Sequence, residues 1–425
     1  MGSMIHLSVG RLEIDWGKNN AFSDHSALFQ TSDVTNVPYY YAGADKPDPV
    51  APGERAWEIV VEHKEGLSKP LAEVIDRINL LGHTPVVCEE EFRWLADLND
   101  FDAAIFKFSD LQKALATVDV TAMSANYGEG GEDFGKFFRR EIFPRLDFSH
   151  FSGDTSHIQY RAAHGMENIS AYTILQMLAH NPTARDLPVQ WAFNDIEQGG
   201  WAERSDFIRT VDREFRFLIV TEGSSDAAII KHALHLLKPH IADFFDFVDM
   251  EEGYPFTGTG NLFRFVQGLI SISVLNNVIV IYDNDAEGVA NYARCHALTL
   301  PNNMSVLKLP DDSSFKSFPT IGPNGTNHSD INGRAASIEC YLDLPADSCV
   351  RWSNYNHALE TYQGELLGKT KHMRTFLDQR CKIPTYDYSK IEKVLDMICR
   401  TAVAMREAVT LEEYSGPLED NIEDA

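Results

Sequence analysis

Two stretches constrain this chain more than any others. The first reads Phe215-Arg-Phe-Leu-Ile-Val-Thr-Glu222-Gly223-Ser-Ser-Asp226, and the second Val278-Ile-Val-Ile-Tyr-Asp283-Asn-Asp285-Ala-Glu287-Gly288. Each is a short, β-branched apolar run that ends in an acidic turn and passes into a helical pattern. Runs of this kind predict strands buried on both faces of a parallel sheet. Open α/β sheets bind ligands at the carboxyl ends of their strands, and that is where these acids collect. The pattern therefore predicts an α/β domain with a divalent-metal site suited to phosphodiester chemistry.

The rest of the composition bounds that expectation. A chain of 425 residues is long enough for two or three domains with real cores. With 44% apolar and 24% charged residues it reads as an ordinary globular protein. No run approaches the roughly 18–20 apolar residues that span a bilayer. Met1-Gly-Ser-Met4-Ile lacks the basic and apolar regions of a signal peptide, and His6 breaks the myristoylation pattern. Cys88, Cys295, Cys340, Cys349, Cys381 and Cys399 form no Cys-x-x-Cys pair. That excludes a zinc ribbon and a disulfide scaffold, and it leads us to expect a reducing cytoplasm. The net charge of −26 bears on partners. Phosphate neutralisation normally supplies most of the affinity for bare nucleic acid. A nucleic-acid enzyme this acidic needs a local basic strip, a presenting protein partner or a homo-oligomer that buries acidic surface. Alternatively, the charge only aids solubility.

Along the chain, Leu7, Val9, Leu12, Ile14 and Trp16 alternate around Gly10 and predict two strands. A Pro/Gly-rich loop follows at 46–53. Leu67, Leu71, Val74, Ile75, Ile78 and Leu81 predict a helix within 54–83, stopped by Gly82. Helices are expected through 88–118, a glycine-rich connection at 124–135 and mostly helix over 136–200. Arg204, Arg209, Arg213 and Arg216 form a basic stripe if they lie on a helix, or else a solvated face. From 215 the pattern becomes βαβα, with strands at 215–222, 244–250, 277–282 and 304–310. Helices are expected at 226–237, 258–274 and 286–298. Residues 311–333 are expected to form a loop or insertion, 335–342 a helix, and the remainder helices ending in an acidic tail at 419–424.

Magnesium takes oxygen ligands, usually one or two carboxylates with water and substrate phosphate. Asp283 and Asp285 stand two apart at a strand end, Glu222 ends another strand, and Asp226 falls in the helical turn after it. Gly223 and Gly288 allow close backbone approach. With each motif behind a strand and a βα unit between them, residues 213–345 resemble the Toprim domain. That domain occurs in topoisomerases, primases, recombination mediators and overcoming-lysogenization-defect nucleases. The resemblance implies one or two Mg²⁺ or Mn²⁺ ions. It implies Glu222 as metal ligand or general acid/base, Asp283 and Asp285 as the metal-binding pair, and Asp226 as a second-ion ligand. Glu339 would be a further carboxylate, or simply a helix-surface glutamate. Lys369 or Lys371, in Gly368-Lys-Thr-Lys-His372, would stabilise charge in the transition state, or would be solvated surface.

No ATPase P-loop is present. Val9-Gly-Arg11-Leu-Glu13-Ile-Asp15-Trp-Gly17-Lys-Asn19 instead resembles the domain found ahead of Toprim or HEPN ribonuclease domains in bacterial anti-phage proteins, covering about residues 4–200. Asp15, Lys18, Asn19 and Asp24 are candidate binding residues or structural turns. Arg351-x5-His357 and Arg145-x4-His150 both match the spacing of HEPN catalytic residues, which shows how common that spacing is.

The expected architecture is an α/β chain in three parts. An α+β N-terminal domain covers 1–205, a Toprim Rossmann-like core with a mostly parallel sheet covers 206–345, and a helical region with an acidic tail covers 346–425. The chain lacks the extra domains of a topoisomerase and the zinc-site cysteines of a primase or recombination mediator. Within the resemblance this leaves a metal-dependent endonuclease on DNA or on RNA such as tRNA, expected to be a toxic effector of anti-phage defence and free of membrane. The alternative is a partner-gated or non-catalytic nucleic-acid-binding subunit of a defence complex.

Overall fold

The computed structural model describes residues 2–45, 57–99, 101, 107–122, 134–148, 155–248, 259–323, 325–357 and 359–414. The loop expected at 46–53, most of the glycine-rich stretch at 124–135, His150 and the acidic tail lie outside the described residues. The fold is mixed α/β with several sheets, one of them parallel. The chain divides into two compact units, Met1–Val211 with Arg406–Ala425, and Asp212–Met405.

The first unit contains β1 (Met4–Val9), β2 (Leu12–Lys18), β3 (Val34–Asp45) and β4 (Trp57–Pro70). Then come α1 (Leu71–Leu81), α2 (Pro85–Leu98), α3 (Phe108–Ala116), α4 (Phe134–Phe137), α5 (Ser156–Met166) and α6 (Ala171–Leu178). β5 (Pro188–Ala192), α7 (Asn194–Gln198) and α8 (Arg204–Phe207) complete it. Its antiparallel sheet has the order β2-β1-β5-β4-β3. The alternation of β1 turns Ile5, Leu7 and Val9 inward. Trp191 on β5 is buried among the rings of Phe29, Phe193 and Phe207.

Two expectations change here. Residues 57–70 form a strand, and the helix starts only at Leu71. Leu67 and Leu71 match helical spacing, but pairing of this segment with both β3 and β5 overrides local preference. Residues 188–192, inside a stretch read as mostly helical, form the strand β5 between β1 and β4. The arginines of 204–216 form no stripe. Arg204 pairs with Glu65 at 2.6 Å, Arg209 with Asp24, and Arg216 with Asp246 at 3.1 Å.

The second unit begins with β6 (Phe217–Thr221), α9 (Ser224–Leu237), β7 (Phe245–Phe247), α10 (Thr259–Ser271) and β8 (Asn277–Tyr282). It continues with β9 (Asn284–Asp285), α11 (Ala286–His296) and β10 (Met304–Lys308). The sheet β10-β8-β6-β7 is wholly parallel. Every residue of β8 is buried, as its uninterrupted apolar run requires. The connection from β6 runs outward to β7, while that from β8 runs the other way to β10. The strand order thus reverses between β6 and β8, the position where such sheets bind ligands.

Beyond Lys308 the structure departs from the expected loop and helices. β11 (Phe318–Gly322), β12 (Gly325–Ser329), β13 (Ala335–Ala336), β14 (Val350–Asn356) and β15 (Thr361–Leu366) precede α12 (Lys369–Leu377) and α13 (Ser389–Tyr414). A second sheet runs β12-β11-β14-β15. Because β14 pairs with β11, the expected boundary at 345/346 falls inside one unit, and Val350–Asn356 and Thr361–Leu366 are strands where helix was expected. Residues 338–341 form a 3-10 turn, not an α-helix, since β13 ties the preceding residues to β9.

A carboxylate site at the reversal of strand order

β6 and β8 are adjacent and parallel, so Glu222 and Asp283, each just past its strand, meet at one edge. The Asp283 backbone N–H donates to the Glu222 carboxylate at 3.1 Å. Asp226 caps α9, accepting from the Gly223 N–H at 3.0 Å. Asp285 caps α11, accepting from the Gly288 N–H at 2.7 Å. Gly288 has no room for a side chain, because a Cβ there would stand 2.3 Å from the Asp283 carbonyl oxygen and 3.0 Å from the Glu222 carboxylate. Glycine is therefore required where α11 begins against the site.

The antiparallel pairing of β9 with β13 sets Asp285 opposite Ala335 and Asn284 opposite Ala336. This brings the following turn onto the same edge. The Ile338 N–H donates to Asp283 at 3.2 Å, and Glu339, 4% exposed, accepts from the Ser337 hydroxyl at 2.7 Å. Lys369 opens α12 behind Gly368, whose φ of +77° suits glycine.

The electrostatics report the crowding. Burial first, and then Asp285, push the Glu222 carboxyl up to about 8. Burial and Glu339 push Asp226 up to about 7, against the Gly223 N–H and Lys369. Asp283 is raised well above the usual carboxylate range by burial and by Asp226, Glu222, Asp285 and Glu339. Asp285 is raised by burial and by Glu287, although the Gly288 N–H and Lys369 oppose this. Burial acts to lower the Lys369 ammonium, but Glu339, Asp283 and Asp226 outweigh it and hold the group protonated. The structure thus brings Glu222, Asp226, Asp283, Asp285, Glu339 and Lys369 into one electrostatic cluster. Lys371 is exposed two residues further on.

Sequence reasoning missed the residues that hold the turn in shape. Asn284 is fully buried. Its amide donates to Asp311 at 2.9 Å, and its carbonyl accepts from Lys308 at 2.9 Å and from the Gly333 N–H at 2.9 Å. The signal available was its position between two aspartates at the end of a buried strand. Asp15 and Asp24 of the N-terminal motif have local partners: Asp15 pairs with His25 at 2.7 Å, and Asp24 accepts from the Ser26 N–H at 2.8 Å. Asn19 accepts from the Ser3 N–H at 3.1 Å. These are the contacts of structural turns.

Among the described residues no three His, Cys, Asp or Glu side chains already form a metal-holding group. Glu222, Asp226, Asp283 and Asp285 each have an oxygen engaged by a backbone N–H. The donor set nevertheless fits a hard divalent cation, being all oxygen, crowded and lacking a full complement of countercharge.

Fold and site together define a class: a mixed α/β protein with a carboxylate cluster where a parallel sheet reverses its strand order. The chain belongs to the HEPN/Toprim N-terminal domain 1 family, whose model matches residues 1–214. No curated protein and no solved structure matches it significantly. Among the described residues no helix is long and apolar enough to cross a membrane.

Proposed function

We propose that this protein is a divalent-metal-dependent nuclease whose site lies in the parallel-sheet unit, a Toprim domain. The observation that carries the reading is the convergence of Glu222, Asp226, Asp283, Asp285 and Glu339, with Lys369 facing them, at the strand-order reversal. The family match of the N-terminal part supports a nuclease-associated role. In this reading Asp283 and Asp285 would hold one ion with Glu222, and Asp226 and Glu339 would hold a second. A bound Mg²⁺ or Mn²⁺ would supply Lewis acidity toward the phosphate oxygens. Glu222 stands beside Asp283, whose N–H its carboxylate accepts, and would help to orient the attacking water there. Lys369 presents positive charge to the phosphate as negative charge builds on it. The biological setting we propose is a toxic effector of bacterial anti-phage defence.

The test is incubation with plasmid DNA and with total tRNA in Mg²⁺, Mn²⁺ or EDTA, beside Asp283→Ala and Glu222→Ala. Metal-dependent cutting that both substitutions lower by at least about a hundredfold is the expected result. Cutting that survives them would remove the site from consideration.

A second reading, a site gated by a partner or by substrate, is favoured by the backbone N–H groups that engage the carboxylates. Calorimetric titration with Mn²⁺ separates the two readings. Binding to the free protein indicates a ready site. Heat only in the presence of nucleic acid or a partner indicates gating.

A further inference from the structure

We propose that the hairpin β14–β15 is a stacking platform that grips unpaired nucleotides and presents single-stranded nucleic acid to the carboxylate site. The destination of the strand rests on the nuclease reading; the grip itself does not.

Tyr355 and Tyr362 lie opposite each other across the hairpin, with ring centroids 5.0 Å apart in an edge-on arrangement. They are 43% and 44% exposed. His357 stands against Tyr355 at 5.1 Å and is exposed as well. Their neighbours Ser353, Asn354, Asn356 and Gln363 are polar. The patch is therefore π-faces in a polar frame, not the apolar core of a protein interface. β15 is also an edge strand, where exposed aromatics are a liability unless something uses them.

Two contacts tie the hairpin to the carboxylates. Gln363 donates to Glu287 at 2.8 Å, in the first turn of the helix that Asp285 caps. Arg334, whose backbone bridges that of Asp285, lies 4.9 Å over the Trp352 ring and donates to the Thr361 hydroxyl at 3.1 Å.

The charge balance identifies the mode of binding. The whole chain carries −26, and within 350–366 Arg351 is set against Glu360 and Glu365. With Arg334 the one further cation shown against the hairpin among the described residues, phosphate neutralisation is the smaller source of affinity here. Base stacking is the larger, at about tenfold or more per base, and it needs no particular sequence because every base has a π-face. A duplex hides those faces, so the occupant is an unpaired strand.

The experiment is fluorescence anisotropy of the full chain in EDTA with labelled 20-nucleotide single-stranded DNA, single-stranded RNA and a matching duplex. We expect a single strand to bind at least about tenfold tighter than the duplex. The paired change Tyr355→Ala/Tyr362→Ala should weaken single-strand binding by about thirtyfold or more. Tyr355→Phe/Tyr362→Phe should stay within about threefold of the parent, and so should affinity between 50 and 200 mM salt. The DNA and RNA arms identify which strand is preferred. Equal binding of the duplex, unchanged binding by the alanine pair, a steep loss with salt, or no binding of any probe would each overturn the platform. Single-strand binding that depends on the tyrosines, in a protein that cuts nothing, would keep the platform and discard the nuclease reading. Cutting lost in Asp283→Ala while the alanine pair binds normally would do the reverse.

Discussion

Asp283 stands where two demands conflict. Its strand end is crowded by other carboxylates, yet the metal binding proposed for this edge needs those groups ionised. The folded pKa of Glu222 rises from 4.5 to about 8, and that of Asp226 from 3.8 to about 7. Across those windows the folded protein keeps protons that the unfolded chain has lost, so stability must fall as pH rises. The melting temperature in EDTA is therefore expected to be highest near pH 5 and to drop toward pH 8.5. Asp283→Asn should flatten this trend and melt higher than the parent at pH 8. A parent curve that rises with pH would contradict the crowding described here. The same protons compete with metal, so Mn²⁺ should raise the melting temperature more at pH 8.5 than at pH 6. Saturation at about a hundredfold excess over Kd is worth about 2.7 kcal/mol. Asn284 makes a different prediction. Asn284→Ala leaves Asp311, Lys308 and the Gly333 N–H short of a partner and should cost about 1–3 kcal/mol, read by denaturant unfolding.

At the scale of elements, the approach of α11 to β8 is set by Gly288. Gly288→Ala would drive a Cβ into the Asp283 carbonyl and should cost about 1–3 kcal/mol, with loss of the proposed cutting. Gly268→Ala, in open space on α10, should instead be neutral or stabilising by up to about 1 kcal/mol. The same denaturant titration checks both. The contrast also explains what the sequence made legible. β6 and β8 were readable because strands buried on both faces are continuous apolar runs, and their acids follow at once. β4 and the β14–β15 hairpin were not, because their residues gain strand structure only by pairing with segments distant in the chain. For the same reason Glu339 could be named as a candidate while its 3-10 setting could not. Nothing local in Ser337-Ile-Glu339 records that β13 pairs with β9. Lys369 could not be separated from Lys371 until the structure placed only the former among the acids.

At the scale of the whole molecule, two compact units with their own cores predict that unfolding need not be a single event. Differential scanning calorimetry is expected to resolve two transitions, with Mn²⁺ raising only the one that carries residues 212–405. A single transition, or one in which both move together, would show that the units unfold as one. The site is assembled from residues widely spaced along the chain. The two strand-end acids are separated by α9, β7, α10 and β8, but Glu339 arrives after the excursion through β11 and β12, and Lys369 after the β14–β15 hairpin. During synthesis the ribosome releases Glu222 first and Lys369 last. A chain interrupted between Glu339 and Gly368 has all the acids and lacks Lys369, and one interrupted earlier lacks acids as well, so an incomplete translation product is expected to be inert.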